Sequence, residues 1–239
     1  MRLHPFAKIL QIESNGLVAI EKPKGVLCTP APRLEGVSAA GMKLIVDAAY
    51  DEEQECYRMD GSDRLYLLHR LDAGTSGVLL FSASKQTALE VKTLFKKRMV
   101  SKDYRALCFS LPGAASWLGL QNSGELWHDE LQLRDRTVQA ETALVQGSHC
   151  TKTSTALLTL RPTTGFTHQL RVQCARRRLP IVGDSKHGDW TMNRGWKGAK
   201  RLYLHAENIS FSLRQEDPGD KSLYKFVSPL PEEFHTTVQ

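Results

Sequence analysis

The chain reads as an α+β fold with a mixed, mainly antiparallel sheet. Strand-like segments lie both before and after helical ones, and hairpin-like pairs of strands run between them. The helical segments are short and capped, and do not alternate regularly with the strands. Leu17 to Glu21 is a strand entering the Pro/Gly-punctuated loop of "GLVAIEKPKGVLCTPAP". Residues 36 to 52, "GVSAAGMKLIVDAAYDE", carry helical spacing. Leu65 to Leu68 and Val78 to Phe81 are apolar runs that predict buried strands. Ser84 is a suitable N-cap for a helix whose Ala88, Val91, Phe95 and Met99 form an apolar stripe. Strands follow at "DYRALCFSL", "TVQAETALVQG" and "STALLTLRP". Thr167 is then expected to cap a short helix, "HQLRVQCARRRL", which Pro180 stops.

At 239 residues, with 41% hydrophobic and 24% charged, the chain has the composition of a globular protein that buries a core without staples. No apolar run approaches the ~20 residues of a membrane helix, and the first residues lack the apolar stretch of a signal peptide. A cytoplasmic protein is the expectation. No linker or repeat divides the chain, so a single domain over 1–239 is expected. Its motif-bearing part runs over about 9–213, and a loose, Pro-punctuated tail over about 214–239. Five scattered cysteines with no C-x-x-C pair predict reduced thiols, and no metal site. The net charge is +6, and the cations gather in "KTLFKKRMVSKDYR", "RVQCARRRLP" and "NRGWKGAKR". Such clusters fit a nucleic-acid partner and equally fit solvated helix faces.

The stretch "LLHRLDAGTSGVLLF", residues 67–81, places charged groups at the junction of two buried strands. A carboxylate at Asp72 is partly desolvated there and needs donors or a cation to stay ionised. It is either a turn cap or a carboxylate poised for nucleophilic or base work. Arg70, two residues earlier, is placed to pair with Asp72 or to reach a phosphate, and as a lone Arg is equally a surface residue. His69, on the other face, is more often structural. In "TTGFTHQLRVQCARRR" a Gly turn before a helix offers N–H groups to an anion, with Arg171 on its first turns and Arg176 and Arg177 extending the positive surface. Tyr104 in "SKDYRAL" opens a strand, to stack on a base or simply to pack.

These segments, in this order, resemble the RluA family of RNA pseudouridine synthases in its short form. "GLVAIEKPKGVLCTP" is similar to the family's N-terminal strand and Lys-Pro-x-Gly loop, and "HRLDAGTSGVLLF" to its catalytic motif. "SKDYRAL" is similar to the tyrosine motif, "TGFTHQLRVQ" to the third motif, "LPIVGDSKHG" to the loop after it, and "RLYLHA" to the closing segment. The resemblance spans about residues 15 to 210. It implies a pseudouridine synthase fold, with a mixed sheet in two halves, flanking helices and a central RNA-binding cleft, and no S4 domain at the N-terminus.

It further implies that Asp72, Tyr104 and Arg171 are catalytic, with Arg171 as the cation for Asp72 and Tyr104 as the ring against the target base. Arg70, His69, Leu204, Thr167, His168 and Phe166 would bind substrate. Arg176, Arg177 and Lys97 would meet the RNA backbone. The implied reaction is the isomerisation of uridine to pseudouridine in ribosomal or transfer RNA by a monomer, without cofactor, metal or membrane. The alternatives are a non-catalytic RNA-binding or chaperone protein on the same scaffold and a nucleoside or glycoside hydrolase using two carboxylates. Three positions depart from the family pattern: Phe166 replaces a usual Arg, Gln173 a common His, and His187 a frequent Tyr. These departures bear on RNA specificity rather than on Asp72.

Overall fold

The computed structural model describes residues 2–30, 43–114, 124–196, 201–214 and 221–234. The chain packs as two compact units. The first comprises Met1–Val100 with Asn208–Ser228, and the second Ser101–Glu207 with Pro229–Gln239.

In the first unit, β1 (Lys8–Ile12) pairs with β2 (Leu17–Lys22), and β2 runs antiparallel to β6 (Ser76–Ser82) from Leu17 opposite Ser82 to Lys22 opposite Gly77. The short strands β3 (Tyr50–Asp51), β4 (Cys56–Arg58) and β5 (Arg64–Leu67) lead in sequence to the same β6. Every residue of β6 is buried, which is why it reads as an unbroken apolar run rather than an alternating one. The predicted strands at 65–68 and 78–81 are therefore present. Helix α1 (Lys85–Lys96) begins at Ser84, whose hydroxyl accepts the Thr87 N–H. Ala88 and Val91 are buried and Phe95 packs partly, whereas Met99 lies beyond the helix and is exposed.

The helical spacing over 36–52 is not realised where it can be seen. Residues 43–49 have no helix, Leu44 and Val46 bridge to Leu27 and Leu3, and β3 follows. Residues 36–42 lie outside the described residues. Backbone pairing with two distant segments outweighs a helical propensity worth tenths of a kcal/mol per residue.

In the second unit, β7 (Ser101–Phe109) lies beside β10 (Thr155–Pro162), which pairs with β9 (Thr137–Cys150) and through it with β8 (Glu125–Gln132), all antiparallel. Helix α2 (Gln169–Arg176) covers this sheet with Leu170 and Cys174, and α3 (Trp190–Gly195) follows. The core gathers Leu107, Phe109, Trp127, Leu158, Leu160, Ile181 and Tyr203. Cys28, Cys56, Cys108 and Cys174 are buried free thiols, and Cys150 is half-buried. Among the described residues no helix is long and apolar enough to cross a membrane.

Within the tail expected to be loose, residues 221–234 are structured. Strand β11 (Leu204–Arg214) pairs in its Asn208–Arg214 part with β12 (Lys221–Val227), and Phe226 enters the first unit's core. Pro229 onward joins the second unit. There Phe234 is fully buried against Tyr203 and His205, and Glu233 pairs with buried Arg201 at 2.6 Å. Prolines that punctuate without ordering in isolation here deliver one aromatic anchor. Phe234→Ala should cost about 3–4 kcal/mol of unfolding free energy. Urea unfolding checks it, and a loss below ~1 kcal/mol would show that the tail does not anchor the core.

Candidate active site

Asp72 sits half-buried in the turn between β5 and β6, and Thr75 N–H closes that turn on the Asp72 carbonyl at 3.0 Å. A second loop, from the end of β2, clasps it. Lys22 is fully buried, and its ammonium donates to the carbonyls of Pro23, Val26 and Ala73 at 3.0, 2.8 and 3.1 Å. Gly25 N–H also reaches the Ala73 carbonyl, at 2.7 Å. The Cys28 thiol donates to the Leu71 carbonyl at 3.3 Å and accepts the Leu71 N–H at 3.4 Å. Burial pushes that thiol up, so it stays protonated and able to donate. Gly25 has φ +77, with open space where a Cβ would stand, so glycine is needed for its conformation alone. The Lys-Pro-x-Gly loop thus binds the backbone after Asp72, and Cys28 just beyond it binds the backbone before.

Its neighbours divide. The Arg70 side chain is exposed. His69, expected among the substrate contacts, is half-buried, accepts the Leu80 N–H at Nε2 (3.2 Å) and stacks on Phe95 at 5.2 Å. That ring is a splint between β6 and α1. Lys97 is exposed at the C-terminal end of α1.

In the second unit Tyr104 lies on β7 opposite Leu160, half-buried against a core that includes Leu204. Arg171 is buried on α2 and makes a bidentate pair with Asp184, Nε to Oδ2 and Nη2 to Oδ1, both at 2.7 Å. Asp184 also accepts the Lys186 and His187 amides at 2.9 Å. Burial opposes ionisation of Asp184, yet the guanidinium and the two amides outweigh it and hold the carboxyl below its usual range. The neighbouring Gly183 has φ +74, and a Cβ there would lie 1.6 Å from the Arg201 carbonyl oxygen, so only glycine fits. Sequence reasoning missed Asp184. The signal was present, since "GDSKHG" stood among the motif segments, but nothing local says which cation its carboxylate meets.

Thr167 does not cap α2. The N-cap is His168 in the left-handed conformation (φ 58), with no side-chain cap, and its Nδ1 lies 2.9 Å from His187 Nε2. Strain of this kind in a residue other than glycine persists where surrounding contacts impose it. Gln169 supplies much of that hold. Its Oε1 accepts the Thr164 hydroxyl at 2.8 Å and the Phe166 N–H at 3.2 Å, while its Nε2 donates to the Glu141 carbonyl. Phe166 is half-buried and Thr167 exposed at this turn. Burial pushes the nearby Lys102 ammonium, which donates to the Thr164 carbonyl, down to about 8.

One expected RNA contact, Arg177, is a core group. Arg177 is buried, pairs with Asp129 at 2.8 Å and lies over the Trp127 ring at 4.4 Å. Gln173 is fully buried, donating to Asp129 and accepting the Thr142 hydroxyl, so this departure from the family pattern repacks the interior. Arg176 is exposed and donates to the Glu130 carbonyl at 2.8 Å. Arg176 ends α2 and Arg177 is its C-cap, and the chain there sends one outward and the other in.

The family model for RNA pseudouridylate synthase matches residues 16–176. The chain is 36% identical over 211 residues to tRNA pseudouridine synthase C of Vibrio cholerae, covering 82% of this chain and 81% of that one. It is 27% identical over 228 residues to an uncharacterized RNA pseudouridine synthase of Mycobacterium bovis, covering 91% and 67%. Human RNA pseudouridylate synthase domain containing 4 superposes with a TM-score of 0.62 at 24% identity, covering 96% of this chain and 90% of that one. The chain belongs to the RNA pseudouridylate synthase family. It is an RNA-modifying isomerase with the family's α+β fold.

Asp184→Asn should cost about 3–5 kcal/mol, because a buried guanidinium loses its counter-charge. The sign with pH follows from the lowered folded value. The stabilisation is complete above the ordinary Asp range, near pH 4, and is lost as pH falls through the lower folded value. Acid unfolding followed by circular dichroism should show this loss in the wild type and its absence in Asp184→Asn. Superimposable acid limbs would overturn it.

Proposed function

We propose that this protein isomerises a uridine of transfer RNA to pseudouridine, with Asp72 as the catalytic carboxylate. The observation that carries the reading is the clasped turn. Lys22, Gly25 and Cys28 hold the backbone of Leu71 and Ala73, so the residue between them is presented with little freedom. The 36% identity to a Vibrio cholerae protein named for transfer RNA supports that substrate over ribosomal RNA.

In the reaction the N1–C1′ bond of uridine breaks, the uracil turns, and C5 bonds to C1′. The hydrogen leaves C5 and N1 gains one, so nothing is added or lost and no cofactor or metal is required. Asp72 serves as nucleophile or as base, and either role needs its ionised form. Arg171 takes the role of its supporting cation, held in one orientation by Asp184. Tyr104 and Leu204 take the base, and Arg70 holds the flipped nucleotide. Thr167, His168 and Phe166 contact the RNA. Flipping the uridine out of its stack costs a few kcal/mol, which favours a loop of the RNA. The two units act as one synthase domain over 1–239, a cytoplasmic monomer.

Asp72→Asn is expected to abolish pseudouridine formation while leaving the affinity for RNA within about threefold. Chemical labelling of pseudouridine with reverse-transcription stops reads the product, and full conversion by Asp72→Asn would sink the assignment. Phe166→Arg is expected to change the ranking of RNA substrates more than the rate on the best one. Equal effects on every RNA in a panel would count against a specificity role.

A further inference from the structure

The second unit contains an open cleft of about 620 Å3, all of whose lining residues belong to that unit. One wall is the tip of the β8–β9 hairpin, where the Leu133 N–H donates to the Arg136 carbonyl at 2.9 Å. The other wall is the start of α2, with Thr167 and His168, and the loop carrying Lys186 and His187. The 2.9 Å contact between the two imidazoles ties that loop to the helix start.

The charge of the cleft is distinctive. Arg134, Arg136 and Lys186 face it with one carboxylate, Asp135, on the same turn. Elsewhere in this unit several arginines meet carboxylates. Arg161 pairs with Asp103, Arg171 with Asp184, Arg177 with Asp129 and Arg201 with Glu233. Among the described residues no such pair forms at Arg134, Arg136 or Lys186, although each is exposed. Three exposed cations drawn from two separate segments repel one another unless an anion lies between them. The volume lies within the range of sites that enclose one small molecule, about 300–1,000 Å3, so it admits a nucleotide with its phosphate. Flat imidazole rings on one wall and fork-shaped guanidinium groups on the other suit a ribose-phosphate chain better than a compact free anion.

We propose that this cleft binds the phosphodiester backbone of the substrate RNA at a nucleotide other than the reacting uridine, with Arg134, Arg136 and Lys186 as its phosphate ligands. The inference rests on RNA being the substrate. It adds a positioning site that acts on the backbone and is indifferent to base sequence. The apolar residue of the hairpin tip, Leu133, is half-buried, whereas the exposed cations beside it meet any phosphate chain alike.

The test compares wild type with the triple variant Arg134→Gln/Arg136→Gln/Lys186→Gln on unmodified transfer RNA at several salt concentrations. Each lost contact to a single-stranded phosphate should lower the slope of log K against log salt by about 0.7, so the triple variant should lose about 2. Its affinity at 0.15 M salt should fall roughly 10- to 100-fold. The single-turnover rate at saturating RNA should stay within about twofold, because none of these residues meets the reacting base. Arg134→Lys/Arg136→Lys, which keeps the charge, should retain the wild-type slope. Wild-type affinity and slope in the triple variant would overturn the site, as would weaker binding with an unchanged slope. If the wild type makes no pseudouridine in any RNA while the triple variant still loses affinity and slope, the catalytic reading fails and the phosphate site stands.

Discussion

The first unit depends on keeping one ammonium out of water. Lys22 is fully buried, and three backbone carbonyls replace its hydration. A charge so placed is tolerated only with every donor engaged, and that demand fixes the loop 22–26 and the carbonyl of Ala73 in one arrangement. Leu71 and Ala73 flank Asp72, so the satisfaction of Lys22 is also the positioning of Asp72. On the far side of the turn β6 is buried along its whole length and pairs with β2 from Gly77 to Ser82, which anchors the chain leaving Asp72.

The second unit sorts its cations by the same principle. Arg171 and Arg177 are buried, and each meets a carboxylate that is itself held by further donors. These pairs set the orientation of α2 against its sheet and loop. Removing one partner would strand a charge, whereas surface pairs of the same composition are worth little. Arg134, Arg136 and Lys186 remain at the surface, where a polyanion supplies their counter-charge from outside.

The left-handed His168 joins these two regimes. A local sequence preference would have put a Thr cap there. The observed turn is instead set by Gln169, which reaches back to Thr164, Phe166 and Glu141, and by His187 on a loop 19 residues away. A capping hydroxyl contributes about 1 kcal/mol, and several simultaneous hydrogen bonds outweigh it.

Much was legible in the order of residues alone. The apolar runs at 65–68 and 78–81, the Ser84 cap and the six motif segments are local patterns, and local patterns need no partner to be read. They identified the family and put a carboxylate on a turn at Asp72. The sequence could not decide between Arg176 and Arg177, alike in neighbourhood, one exposed and the other buried over Trp127. Nor could it say that Gln173 serves the interior, that Phe234 anchors the described end of the tail, or that Asp184 holds Arg171. Each of those outcomes depends on which distant strand or loop lies opposite, and burial and counter-charge are properties of that meeting rather than of the residue.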